Sequence, residues 1–241
     1  MYSVVGLEEL PGSVRGSAVP GGINNFGQVV GWASFMSAEG HGGSRGLDQA
    51  FLWSEGGIRV IRQGIGVLRE DLHSSADAMV LREDLQSRAR AINDRGLVVG
   101  GSLTHGGHHH AFLWNELTGM EDLGTLTPGV LGATSSDVVF SEANAINNSG
   151  EVVGGSFSSE RGESEEGGKH AFFWSESTGM QDLNVLLPPN SGWTLLRAHD
   201  INESGQILCE GLHTGSDNAQ ERRVCVLIPT FVPTLRTRPE P

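Results

Sequence analysis

The sequence predicts an all-β protein made of four copies of one unit, closed into a four-bladed β-propeller of four-stranded repeats. Three observations carry this expectation. A nine-residue motif recurs four times, a Phe/Trp-rich block follows each copy, and glycine is abundant at 35 of 241 residues without collagen periodicity.

The first strand of each unit, strand a, ends in an Ile-Asn pair. The copies are Ile23-Asn24-Asn25-Phe26-Gly27-Gln28-Val29-Val30-Gly31, Ile92-Asn93-Asp94-Arg95-Gly96-Leu97-Val98-Val99-Gly100, Ile146-Asn147-Asn148-Ser149-Gly150-Glu151-Val152-Val153-Gly154 and the looser Ile201-Asn202-Glu203-Ser204-Gly205-Gln206-Ile207-Leu208-Cys209. Asn-x-x-Gly supplies residues that tolerate left-handed backbone, hence a tight hairpin, and the β-branched Val-Val run is strand b. Strand c is the Ala-Phe-Leu-Trp block, at Gln49 to Trp53, His110 to Trp114, His170 to Trp174 and, degenerate, Arg223 to Leu227. It is apolar on both faces, as in a sheet sandwiched between two others. A turn at Thr118-Gly119 or Thr178-Gly179 leads into strand d, Gly119 to Leu126 and Gly179 to Leu186, with Gly57 to Ile61 as a worn copy.

The units span about 13–61, 88–126, 142–186 and 197–228, in a single domain of residues 1–231 followed by a Pro-rich tail at 232–241. The last unit has no strand d of its own. Tyr2 to Leu10 has strand d character, and its return to the last unit would close the ring and remove exposed sheet edges.

Composition bounds the partners. A formal net charge of −13 disfavours the phosphate backbone of nucleic acid, which needs a basic face. No run approaches eighteen apolar residues and the N-terminus lacks a basic, apolar leader, so no membrane partner is expected and the cytoplasm is the expected compartment. Cys209 and Cys225 cannot form a disulfide framework, and buried reduced thiols are the expectation.

These motifs resemble the HAF-repeat proteins, named for the triplet that stands here at His110-Ala111-Phe112 and His170-Ala171-Phe172. The resemblance runs from Tyr2 to about Pro229. It implies a repeat protein of a group described as extracellular, and it brings no shared activity. His110 and His170, constant between units, read as scaffold.

Function is therefore sought where the units disagree. In a blade with strands a to d, the a–b and c–d turns lie on one face, and here they are short and similar. The b–c connections (Trp32 to Asp48, Ser102 to His109, Ser156 to Lys169, Glu210 to Arg222) and d–a connections (Arg62 to Ser87, Thr127 to Ser141, Pro188 to Thr194) are long and different. Variable loops on a rigid frame are where binding sites usually sit. The innermost strand points to the same face: four and two residues before the Ile stand Val19 and Gly21, Arg88 and Arg90, Glu142 and Asn144, and Arg197 and His199. A period of two sets each pair on one side of its strand. Arg88, Arg90, Glu142, Asn144, Arg197 and His199 are accordingly the candidate binding residues, converging on the channel mouth.

Other clusters carry less. His105, His108, His109 and His110 lack a carboxylate at ligand spacing, so no metal is expected. Acidic Ser158 to Glu166 lacks the pattern of a calcium loop, and the insert from Arg62 to Ser87 has a weakly amphipathic run that would cap the variable face. No nucleophile elbow, phosphate loop, dinucleotide fingerprint or zinc motif occurs, and no cofactor is expected. The leading expectation is a non-enzymatic binding propeller that presents its variable face to a small molecule, glycan or protein. The alternative is a cofactor-independent enzyme, a cyclase, isomerase or lyase, using the same polar mouth.

Overall fold

The computed structural model describes residues 6–7, 18–35, 47–55, 57–61, 86–104, 107–127, 139–158, 168–215 and 217–230. They form four antiparallel sheets with no α-helix among them. The first holds β1 (Val19–Ile23), β2 (Val29–Phe35), β3 (Leu47–Ser54) and β4 (Gly57–Val60). The second holds β5 (Ser87–Ile92), β6 (Val98–Leu103), β7 (His109–Asn115) and β8 (Gly119–Asp122). The third holds β9 (Val139–Ile146), β10 (Val152–Ser158), β11 (Lys169–Ser175) and β12 (Gly179–Asp182), followed by a 3-10 turn at Leu183–Leu186. The fourth has three strands, β13 (Trp193–Ile201), β14 (Ile207–Thr214) and β15 (Gln220–Leu227).

The four repeats are thus four all-β sheets with their strands in chain order, and no closed ring is found among the described residues. The closing strand expected at Tyr2 to Leu10 lies outside the described residues except for Gly6 and Leu7, which have no regular structure. Most of the variable connections, including 36–46, 62–85, 128–138 and 159–167, also lie outside them.

Sheets pack face to face in sequence order, and the repeat motif supplies both faces. The second Val of strand b and the Ala of strand c look forward, while the Ile of strand a and the first Val look back. Val30, Ala50, Leu52 and Ile61 thus meet Ala89, Ile92, Val98 and Phe112. Val99, Ala111 and Leu123 meet Ala143, Ile146, Val152 and Phe172, and Val153, Ala171 and Leu183 meet Leu195, Ala198, Ile201 and Ile207. Each Val, Leu, Ile or Phe among them contributes about 1.5–3 kcal/mol on burial.

Close approach explains the small residues. A Cβ on Gly31, Gly100 or Gly154 would fall 2.2, 1.9 or 2.0 Å from the carbonyl oxygen of Val19, Arg88 or Glu142, so the Gly of Val-Val-Gly is required. The strand c Ala backbone reaches the next sheet: Ala50 N donates to Ser87 Oγ (3.1 Å) and Ala111 N to Ser141 Oγ (2.8 Å).

The a–b turns carry a ladder of asparagines. Gly27, Gly96, Gly150 and Gly205 take the left-handed backbone (φ +72 to +86°), whereas the Asn residues expected to share that role do not. Their side chains bond instead. Asn147 Oδ1 accepts from Ser149 N and Glu151 N, which holds the turn, and Asn24, Asn93 and Asn147 each donate through Nδ2 to the backbone carbonyl of Asn93, Asn147 and Asn202 in the next sheet. One side chain therefore closes its own hairpin and ties it to its neighbour.

The constant histidines tie strands c and d. His110 Nδ1 lies 2.9 Å from Asp122 Oδ2, and His170 Nδ1 lies 2.7 Å from Asp182 Oδ2. Burial pushes the Asp182 carboxyl up, but hydrogen bonds from His170 and Asn184 outweigh it and hold the group below the usual carboxylate range.

Candidate functional site

Each first strand carries a β-bulge at one and the same place. Pairing skips from Pro20 to Gly22, from Ala89 to Ala91, from Ala143 to Ala145 and from Ala198 to Asp200, so the extra residues are Gly21, Arg90, Asn144 and His199. These are the residues two before the Ile. A bulge leaves its extra residue unpaired and re-aims its side chain, so the simple period of two does not govern the pair.

The consequence is a chain of contacts rather than one point of convergence. Residues four before the Ile bond to the preceding sheet: Arg88 donates from Nε and Nη2 to Asp48 Oδ2 at 2.8 and 2.6 Å, and Glu142 accepts from Arg90. Bulge residues reach the following sheet: Arg90 donates from Nε and Nη2 to Glu142 Oε1 at 3.0 and 2.7 Å, and Asn144 Nδ2 donates to Ala198 O at 2.7 Å. Arg197 Nη2 stands 3.7 Å from Glu142 Oε2, so this largely buried carboxylate is shared by guanidinium groups of the second and fourth sheets. His199 stays within its own sheet, its Nε2 3.5 Å from Glu210 Oε2, and Arg222 faces the other oxygen of Glu210 at 3.5 Å.

Three participants escaped the sequence reading, namely Trp32, Asp48 and Glu210. Arg88 and Arg90 both lie over the Trp32 ring, at 5.8 and 5.4 Å from its centroid, close enough for cation–π attraction. Trp32 and Glu210 occupy the strand b position that is Gly101 and Gly155 in the middle units, and Asp48 stands where His109 and Lys169 stand in strand c. Comparison of strands b and c between units, as was done for strand a, would have exposed all three.

The histidine cluster separates. His109 Nδ1 faces Ser141 O at 3.4 Å, His110 faces Asp122, and His105 lies outside the described residues. Burial pushes the His109 imidazole below its usual range, against the pull of the Glu142 carboxylate. Among the described residues no three His, Cys, Asp or Glu side chains are placed to hold a metal ion. Cys209 and Cys225 are direct cross-strand partners and are free thiols, that of Cys209 pushed up to about 12 by burial and by its neighbour. No helix among the described residues is long and apolar enough to cross a membrane.

Comparison with known proteins corrects one expectation. A family model described as "Protein of unknown function (DUF3466)" matches residues 75–234, and no HAF-repeat family is detected, so the His-Ala-Phe triplets do not place the chain in that group. The triplet is short, and its residues answer to sheet packing and to the His–Asp bond within the second and third sheets. No curated protein and no solved structure matches the chain.

Proposed function

The chain belongs to the uncharacterised family DUF3466, and with no activity to inherit from it we propose that it is a non-enzymatic binding protein, a four-bladed propeller that takes a small molecule at the mouth formed by its first strands. The observation that carries the binding reading is Glu142, a largely buried carboxylate held between Arg90 and Arg197. This charged bridge is built from positions at which the units differ, on the face where the long connections begin. Fold maintenance alone does not call for such variety, since Asn24, Asn93, Asn147 and Asn202 stay constant at the other end of the same strands. Cys209, held as a neutral buried thiol, is a poor nucleophile, which favours binding over covalent chemistry.

Ring closure is supported by the two ends of the array. Ile23 of the first sheet is 69% exposed, while its equivalents Ile92, Ile146 and Ile201 are 7, 9 and 6% exposed. In the last sheet Leu208 and Val224 are 39 and 70% exposed, where Val30, Val99, Val153, Ala50, Ala111 and Ala171 are at 0%. The exposed positions at one end are those that bury a neighbour's back face elsewhere, and those at the other end bury a front face. Residues 2–10 would then complete the last sheet beside β15. Deleting them should lower the melting temperature far more than deleting residues 232–241, and equal losses would sink the ring.

The binding reading is tested by melting the protein with a panel of small carboxylates, sugars and amines. A compound that stabilises the wild type and fails to stabilise Arg90→Gln supports it, whereas stabilisation indifferent to substitutions at Arg90, Glu142 and Arg197 removes the site.

A further inference from the structure

We propose that Cys209 and Cys225 form a redox pair, which a small-molecule disulfide such as oxidised glutathione converts into a cross-strand disulfide that fastens β15 to its sheet. The inference is independent of the mouth and of any ligand held there.

The two residues are the only cysteines in the chain, and they face each other as direct partners on β14 and β15. Directly opposed residues on antiparallel strands have Cα atoms about 4.5 or 5.5 Å apart, according to the kind of pair they form. A disulfide accepts about 4.4–6.8 Å, so either kind of pair permits the bond without moving the backbone. Both side chains lie on one face of the sheet. Cys209 belongs to the apolar cluster shared with Val153, Ala171 and Leu183 of the third sheet, and Cys225 packs against the same cluster.

The other units show what the pair replaces. The equivalent partners are Gly31 and Phe51, Gly100 and Phe112, and Gly154 and Phe172. In the first and third of these the ring covers the glycine, with atoms of Phe51 and Phe172 at 3.0 and 2.8 Å from where a Cβ would stand. The glycine can therefore gain a side chain only if the Phe is also replaced. In the fourth unit both are replaced, and both by cysteine.

The exchange falls on the strand that lacks other ties. In the first three sheets strand c is paired on both sides, with strand b and with strand d, and its Phe is buried. Among the described residues β15 pairs with β14 alone, and Val224 and Val226 stand exposed. A bond from Cys225 to the wholly buried Cys209 anchors this strand in the core. It also closes a loop of Glu210 to Val224, which removes conformations from the unfolded chain.

Cys225 is partly exposed and Cys209 is not, which sets the order of steps. The Cys225 thiolate attacks one sulfur of the small disulfide, forms a mixed disulfide and releases one small thiolate. The Cys209 thiolate then attacks the Cys225 sulfur, and the second small thiolate leaves. The two cysteines give up two protons and two electrons, and the small disulfide becomes two thiols. Burial pushes both cysteines above the usual thiol range, Cys209 to about 12 with its neighbour's help. The exchange is therefore slow at neutral pH and quickens as pH rises.

The experiment incubates the full chain with oxidised glutathione at mildly alkaline pH, removes the reagent, and reads intact mass, thiols alkylated after unfolding, and melting temperature. Wild type should lose both thiols, weigh two hydrogens less and carry no glutathione. Its melting temperature should rise by about 5 °C or more and return on reduction with dithiothreitol. Cys209→Ala should stop at the mixed disulfide, heavier by one glutathione, and Cys225→Ala should keep its buried thiol. Retention of both thiols by the wild type overturns the proposal, as does its arrest at a mixed disulfide or its conversion to a disulfide-linked dimer. A bridge that forms without raising the melting temperature overturns the fastening of β15.

Discussion

The two ends of the four innermost strands obey different rules. At the a–b turns every unit carries the same Asn, and Asn24, Asn93 and Asn147 repeat one bond to the next sheet. A few residues away, across the bulge, no two units carry the same pair of side chains, and only the arginine four before the Ile recurs, as Arg88 and Arg197. Arg88 meets Asp48, Arg90 meets Glu142, Asn144 meets a backbone carbonyl and His199 turns to its own sheet. The bulge divides them. On one side the strand's side chains are constrained by the stacking of sheets, and on the other its added residue is free to differ. Constancy within this chain therefore marks the frame and divergence marks the candidate site.

The largest expected effect tests the regular end. Asn147→Ala removes two acceptor and two donor bonds, to Ser149, Glu151 and Asn202, and should cost about 3 kcal/mol in urea unfolding. Asn202→Ala, at an exposed residue whose side chain bonds only Ser204 and Gln206 among the described residues, should cost about 1 kcal/mol. Equal costs would mean that Asn202 also has a next sheet, namely the first. At the irregular end, Glu142→Ala strands Arg90 beside a vacated pocket and should cost about 1–3 kcal/mol, while Arg197→Gln should stay within about 0.5 kcal/mol. A large loss from Arg197→Gln would make the mouth part of the frame and erase the contrast.

The smallest effect is a titration that crosses both ends. His109 is held below its usual pKa by burial, so below about 6.5 the unfolded chain takes up a proton that the folded chain resists. Stability should fall as pH drops from 7.5 to 5.5, and His109→Gln should flatten that fall. Asp182, whose folded pKa is depressed, contributes stability that is present above about 4 and is lost as pH falls through its folded value. The two windows do not overlap, so unfolding midpoints at pH 7.5, 5.5 and 3 separate them.

The architecture of the units was legible in the sequence because packing repeats: Ile, Val-Val-Gly and Ala-Phe-Leu-Trp each answer to a contact made in several sheets. The three-stranded last sheet followed from the same alignment. Bulges were not legible, since an inserted residue leaves the order of residue types unchanged and only shifts the pairing. Hence Arg90 meets Glu142, whereas Arg88, expected at a common centre, turns back to Asp48. Trp32 escaped because a lone aromatic after Val-Val-Gly looks like one more core residue until Gly101 and Gly155 are set beside it. Family kinship was misjudged for a related reason, as a triplet shaped by sheet packing carries little ancestry.

The asparagine ladder has a direction: each of the first three units donates to the unit that follows it. A unit duplicated anywhere in the interior would arrive with its own donor and its own acceptor, and both would find partners at once. Tandem gene duplication therefore costs this edge nothing, and loss of a unit costs it equally little. The ladder fixes the order in which sheets succeed one another but places no limit on their number. If the ring closes as proposed, selection on the number of units would act elsewhere, through the fit of the first sheet's back face to the last sheet's front.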